Sequence, residues 1–209
     1  AFTYKRTFSN NQKDTEFRIV SPLLGTFNIY NLLASLTATT QLGVNPDAQI
    51  AGVFNLKVIP GRAQKVIQGQ PFDVVVDYAH TPESLQALYE GYASKRKICV
   101  LGATGGGRDK EKRPRMGAIA DNYCDDIILT DEDPYDEVPQ KIVDDVHAGI
   151  TKNKNVTILM DRAEAISVAV RRARPGDAVL ITGKGTDPSI ARAKGMKEPW
   201  SDFDVANQV

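Results

Sequence analysis

Beyond about residue 62 the chain alternates two hydrophobic patterns, each with its own period. Phe72 to Asp77, Lys97 to Leu101, Asp126 to Thr130, Val156 to Met160 and Asp177 to Thr182 are compact apolar runs without polar alternation. A strand of that kind needs cover on both faces, which is the condition inside a parallel sheet. Between the runs, apolar residues return at helical spacing: Leu85, Leu88, Tyr89 and Tyr92, then Met116, Ile119, Ala120 and Tyr123, then Ile142 and Val146, then Ile166, Ala169, Val170 and Ala173. Such stripes are core-facing helix surfaces. Helix starts are written in as well, by an N-cap and N1 proline at Thr81-Pro82 and a capping box at Asp161-x-x-Glu164. The repeating strand-helix unit predicts an α/β fold, a Rossmann-like doubly wound sheet.

Residues 1–60 have a different texture. Thr3 to Phe8 and Glu16 to Val20 read as short strands, and a helix after Gly25 places Ile29, Leu32, Leu33 and Leu36 on one face. A second helix begins near Asp47, is expected to bury Ile50, Val53 and Phe54, and gives way to extended Lys57-Val58-Ile59-Pro60-Gly61. These are few elements for an independent core. The expected division is therefore a remnant of a larger domain at 1–60 and the doubly wound domain at 61–209.

Composition narrows the function classes. The 209 residues carry 26 basic and 26 acidic side chains, so net charge gives no reason to expect nucleic acid or a membrane surface as partner. No apolar run reaches membrane-spanning length and the start Ala1-Phe2-Thr3-Tyr4-Lys5 has no signal-peptide pattern, so a soluble, cytoplasmic protein is expected. Cys99 and Cys124 form no C-x-x-C and have no histidine near in sequence, which predicts two reduced structural thiols and no metal site.

In a doubly wound sheet, ligands bind beyond the carboxyl ends of the strands. The unusual residues fall there: Asp77-Tyr78-Ala79-His80, the stretch from Gly102 to Lys112, the acidic Asp131-Glu132-Asp133-Pro134-Tyr135-Asp136-Glu137, and Gly183-Lys184-Gly185-Thr186-Asp187. Gly102, Gly105, Gly106 and Gly107 free backbone N–H groups to meet an anionic ligand, although Arg108-Asp109 stand where a P-loop needs Lys-Ser/Thr. Asp77 closes a strand where Rossmann-like folds hold sugar hydroxyls. Arg162 and Glu164 read as helix-capping groups and His147 as a solvated side chain.

Phe27-Asn28-x-x-Asn31, Pro60-Gly61-Arg62, Asp77-Tyr78-Ala79-His80-Thr81-Pro82, Gly105-Gly106-Gly107-Arg108-Asp109, Lys112-Arg113-Pro114, Asp133-Pro134 and Gly183-Lys184-Gly185 stand in the order found in Mur ligases. The chain resembles that family, and within it the UDP-N-acetylmuramoyl-tripeptide synthetases, over nearly all of residues 24–187. The resemblance implies the end of a central ATPase domain followed by a C-terminal Rossmann-like domain. It implies ATP and Mg2+ as cofactors, and UDP-N-acetylmuramoyl-L-alanyl-D-glutamate and a free diamino acid as substrates. By position, Asn28 and Asn31 would meet adenine, Arg62 and Asp77 the phosphates and ribose, and His80 would lie near the phosphates. Arg108, Glu132, Asp133, Tyr135, Gly183 and Asp187 would surround the incoming amino acid.

The departures from the family pattern carry information. No Gly-x-x-x-x-Gly-Lys-Ser/Thr occurs, so the main magnesium ligands and the P-loop are expected outside this chain. Asp187 stands where the family usually has glutamate. Tyr135 stands where members adding diaminopimelate carry arginine, and with the acidic run around it this favours L-lysine as the amino acid added. Two other readings stay open: another Mur-type ligase resembling polyglutamate or cyanophycin synthetases, and a binding module that holds a nucleotide or amino acid without catalysis.

Overall fold

The structure is a computed structural model that describes residues 1–6, 15–23, 25–152 and 155–209. It divides into two compact units, Ala1–Ile59 and Pro60–Val209.

In the first unit, β1 (Phe2–Arg6) and β2 (Thr15–Ile19) pair antiparallel with Phe2 opposite Ile19. Thr7 and Phe8, expected to extend the first strand, lie outside the described residues. Then come α1 (Thr26–Gln41) and α2 (Pro46–Asn55), the latter capped by the Asn45 side chain, which accepts from the Asp47 N–H. Ile19, Leu32, Leu36 and Val53 form its core, with Tyr4, Phe17, Leu23 and Ile50 against them. Phe54, expected to be buried, is 54% exposed. One helical residue past Val53 turns it about 100° away from that core, and the Lys57 ammonium lies 5.0 Å from its ring centroid instead.

The second unit is a six-stranded sheet in the order β3-β4-β8-β5-β6-β7. Its elements are β3 (Gln64–Val66), β4 (Asp73–Asp77), α3 (Pro82–Glu90), β5 (Lys97–Leu101), α4 (Lys112–Tyr123), β6 (Asp126–Leu129), α5 (Pro139–His147), β7 (Asn155–Ile158), α6 (Arg162–Arg172) and β8 (Ala178–Thr182). All neighbours pair parallel except β3, a short antiparallel edge strand that the apolar pattern did not announce. The strand period of two sorts the core. Val75, Cys99, Leu101, Ile127, Leu129 and Leu180 face α3, α4 and α5, while Val74, Val76, Ile98, Val100, Ile128, Val179 and Ile181 face α6 on the other side. The doubly wound architecture is therefore present.

Two expectations need correction here. β7 is not buried on both faces: it is an edge strand bonded only to β6, and Asn155 and Ile158 are exposed. Cys99 and Cys124 are joined in a disulfide, because the C-cap of α4 returns beside β5 and sets their Cα atoms 6.1 Å apart. Residues past Asp187 are ordered as well: a hairpin of β9 (Ser189–Ala191) and β10 (Lys197–Pro199), then α7 (Asp202–Asn207). Three-residue strands are too short for periodicity to reveal.

Candidate active site at the carboxyl edge of the sheet

Four adjacent strands, β4, β8, β5 and β6, send their following loops to one polar cavity of about 150 Å³. His80, Arg108, Glu132, Asp133, Tyr135, Gly183 and Asp187, all expected site residues, line it, joined by Tyr78, Thr104 and Lys112, which had been given no role. The sheet order brings this about, since β8 returns between β4 and β5 and carries Gly183 into the middle of the other three loops.

The acidic run is not a field of free carboxylates. Lys184, 1% exposed, donates to both carboxylate oxygens of Asp133 at 2.8 and 2.7 Å and lies 3.4 Å from Asp187 Oδ2. Arg192 pairs with Asp131, and Arg113 pairs with Glu137 at 3.0 Å. The electrostatic ground for an acidic pocket is thus largely cancelled. Sequence reading missed Lys184, although a lysine between two glycines at the end of a fully buried strand has little choice but to seek a buried carboxylate.

Glu132 is the exception. Its Oε1 accepts from Thr104 Oγ1 at 2.8 Å, while its buried Oε2 has no hydrogen-bond partner among the described residues. Burial pushes its carboxyl above the ordinary glutamate value, against the nearby charge of Arg162 and the Thr104 bond. Gly183 makes room for it: at φ +108°, a Cβ there would lie 2.1 Å from Glu132 Oε2.

The glycine loop takes an anion, but an internal one. Gly107 N–H donates to Glu137 Oε1 at 3.2 Å and Gly105 N–H donates to the Asp133 carbonyl at 2.7 Å. Two of the amides expected to meet a ligand are therefore engaged by the neighbouring loop. The Gly107 bond, with Arg113 and Lys110, outweighs desolvation and holds the Glu137 carboxyl down to about 2.

Along β4 the expected nucleotide residues divide. Asp77 accepts the Ala63 N–H at Oδ2 (2.6 Å) and the Ala79 N–H at Oδ1 (2.7 Å); burial pushes its carboxyl up while these bonds pull it down. Its first task is to tie the turn after Gly61 to the strand end, and only its remaining lone pairs are left for a ribose. Arg62 is exposed, with its guanidinium 5.0 Å from the Tyr78 ring centroid, and Tyr78 is 4.7 Å from the His80 ring. His80 Nδ1 lies 2.8 Å from the Tyr78 carbonyl, an acceptor, so Nδ1 carries the proton. Asn28 and Asn31 are on α1 in the first unit; Asn28 is buried, and exposed Asn31 donates to its Oδ1 at 3.3 Å. The exposed Arg62 and the His80 edge fit an ATP phosphate chain. For Mg2+, no group of three or more histidine, cysteine or carboxylate side chains gathers among the described residues.

Arg162 is more than a helix cap. It is buried, donates from Nε and Nη2 to Asp202 at 2.8 and 2.7 Å, and reaches the carbonyls of Thr182 and Asp131. Asp161, one residue earlier, is the actual N-cap, accepting from the Glu164 N–H at 3.0 Å. Glu164 and His147 are exposed.

A doubly wound domain with its polar residues gathered at the carboxyl edge defines a class of ligand-binding α/β domain. Residues 61–185 match the family described as "Mur ligase, glutamate ligase domain", and the chain belongs to the Mur ligase family. It is 38% identical over 199 residues to the "UDP-N-acetylmuramoyl-L-alanyl-D-glutamate--2,6-diaminopimelate ligase" of Aquifex aeolicus (strain VF5), covering 94% of this chain and 41% of that protein. With the protein of the same name from Gloeobacter violaceus (strain ATCC 29082 / PCC 7421) it shares 44% identity over 170 residues, 79% of this chain and 34% of that one. A solved structure of a ligase with that name superposes with a TM-score of 0.67 at 35% identity, over 92% of this chain and 40% of the other. The chain thus spans about two-fifths of the length of such relatives. No helix among the described residues is long and apolar enough to cross a membrane.

Proposed function

We propose that this chain supplies the amino-acid-delivering part of an ATP-dependent amide ligase, which joins a diamino acid to UDP-N-acetylmuramoyl-L-alanyl-D-glutamate in the cytoplasm during peptidoglycan synthesis. In this reading residues 1–60 are the tail of a central ATP-binding domain and residues 61–209 the C-terminal domain. The observation that carries it is the cavity in which Arg108, Glu132, Asp133 and Asp187 converge from adjacent loops, within a Mur ligase family domain.

The reaction needs an activated carboxylate and an amine. The γ-phosphoryl group of ATP passes to a substrate carboxylate, the amine attacks the resulting acyl phosphate, and phosphate leaves. Bound Mg2+ supplies charge neutralisation on the transferred group. Arg62 and the His80 edge would meet the phosphates and Asp77 the ribose. Arg108 would hold the α-carboxylate of the incoming amino acid, and Glu132 and Asp187 offer acceptors for its ammonium groups.

Two amino acids fit, each on its own observation. Pairing of Asp131, Asp133 and Glu137 with Arg192, Lys184 and Arg113 removes most of the bias against a second carboxylate, and Arg108 and Lys112 both line the cavity. The relatives named above are 2,6-diaminopimelate ligases by name, and 2,6-diaminopimelate is the reading carried forward. L-lysine is the second reading, supported by Tyr135 in place of an arginine. The test is amino-acid-dependent ADP release by the full-length gene product with the UDP-muramoyl dipeptide, in competition between meso-diaminopimelate, L-lysine and L-ornithine. Release that does not depend on any added amino acid would contradict the ligase reading.

A further inference from the structure

The segment after the family match, from Ser189 to Pro199, lines none of the cavity, yet it grips the loop that does. Its backbone makes three of the contacts. Ala191 N–H donates to Asp133 Oδ1 at 2.7 Å, the Ala191 carbonyl accepts from Tyr135 N–H at 3.0 Å, and Lys194 N–H donates to Asp136 Oδ1 at 2.8 Å. One side chain makes the fourth. Arg192 is anchored inside the hairpin on Glu198, with Nε 2.9 Å from its Oε2, and extends Nη1 to Asp131 Oδ2. Asp131 Oδ1 in turn accepts the Glu132 N–H at 2.9 Å. A continuous hydrogen-bonded relay therefore runs from Glu198 through Arg192 and Asp131 to the backbone of Glu132, a residue that lines the cavity.

The relay also solves an electrostatic problem. Asp131, Glu132 and Asp133 are consecutive and all buried, and close like charges without counter-charges push one another apart. Lys184 answers Asp133, and Arg192 answers Asp131. Without Arg192, Asp131 would be a buried carboxylate with no ion pair among the described residues, and its simplest relief is to swing toward water, drawing the Glu132 backbone with it.

We propose that Arg192 is a positioning residue for the amino-acid site, setting the place of Glu132 through Asp131 without touching the ligand. The proposal rests on the reading of this cavity as an amino-acid site. It makes the hairpin, outside the matched family domain, part of what fixes affinity for the amino acid.

The experiment is calorimetric titration of the 209-residue chain with meso-diaminopimelate and with L-lysine, for the wild type, Arg192→Gln, Arg192→Lys, Asp131→Asn and Arg192→Gln/Asp131→Asn. Far-UV circular dichroism and thermal melting are followed in parallel. Arg192→Gln should weaken binding by about tenfold or more, the scale of a binding group displaced by a fraction of an ångström to an ångström. Arg192→Lys should recover part of the loss. The double variant should return to within about threefold of wild type, because asparagine keeps the acceptor for Glu132 N–H and removes the unpaired charge. Unchanged affinity in Arg192→Gln overturns the proposal, as does a double variant no better than the single. Loss of affinity that merely tracks loss of the folded state in Arg192→Gln and Arg192→Lys alike also overturns it. If the wild-type chain binds neither amino acid, the reading of the cavity fails, and the proposal falls with it.

Discussion

Replacing Arg162 by alanine tests how the cavity rim is held together. Arg162 sits at the first position of α6 and joins three elements: the carboxylate of Asp202 on α7, the last carbonyl of β8 at Thr182, and the Asp131 carbonyl after β6. Arg162 and Asp202 are both essentially inaccessible, with side-chain exposures of 1% and 0%. Burial acts to lower the guanidinium pKa, but the Asp202 carboxylate overrides it and keeps Arg162 charged. Removing one partner of such a pair strands the other as a buried charge, which costs about 3–5 kcal/mol. Trp200 Nε1 still donates to Asp202 Oδ1 at 2.7 Å, so the lower half of that range is expected for Arg162→Ala. That corresponds to roughly a 6–16 °C drop in melting temperature for a chain of this size. The chain has a single tryptophan, and its indole touches this pair. Urea unfolding followed by Trp200 fluorescence therefore reports on the second unit directly. The Arg162→Met/Asp202→Leu double variant should be less destabilised than the sum of the two singles, because no lone charge remains. A loss below about 1 kcal/mol for Arg162→Ala, the scale of an exposed ion pair, would refute the reasoning, and so would strict additivity in the double.

Three further outcomes follow from individual side chains. The Glu137 carboxyl is held at about 2 in the fold against 4.5 when unfolded; its stabilising contribution is present above the unfolded value and lost as pH falls through about 2, so Glu137→Gln should flatten the acid limb of the stability profile between those values. Burial raises the Glu132 carboxyl in the fold, so its contribution is present below 4.5 and lost as pH rises through the raised value. Glu132→Gln should therefore gain stability at neutral pH relative to wild type while losing amino-acid affinity, which urea unfolding and titration calorimetry read separately; no gain at pH 7 would count against the buried, unpaired Oε2. Tyr135→Arg in the full-length gene product should shift discrimination toward diaminopimelate over L-lysine by on the order of 1–3 kcal/mol, the scale of a charged hydrogen bond, as measured by the ratio of their kcat/KM values.

What was legible in the sequence follows from the range over which each signal acts. Compact apolar runs and helical stripes are local, so β4, β5, β6 and β8 and the helices between them could be read directly, and the caps at Thr81 and Asp161 are real. Because ligands in such sheets gather at one edge, seven of the expected residues could be assigned to a common cavity without knowing the strand order. Pairing was not legible. That Lys184 would answer Asp133, 51 residues away, or that Arg192 would answer Asp131, depends on β8 inserting between β4 and β5. The acidic run therefore looked like a free negative field when much of it is internally compensated. The burial of Arg162 was hidden for the same reason, since Asp202 lies 40 positions further on. Phe54 shows the opposite limit: periodicity places a residue on a face but not on how wide a face the core will cover.

The most direct measurement is an amide chemical-shift titration of the isotope-labelled 209-residue chain with meso-diaminopimelate, repeated with L-lysine. If the carboxyl-edge cavity receives the incoming amino acid, saturable shifts should concentrate at Thr104, Arg108, Glu132, Tyr135 and Gly183, and be absent from the far ends of the same strands at Asp73, Lys97 and Ala178. Saturable binding that leaves the cavity amides unmoved, or no binding of either amino acid at millimolar concentration, would contradict the assignment of this edge as the amino-acid site.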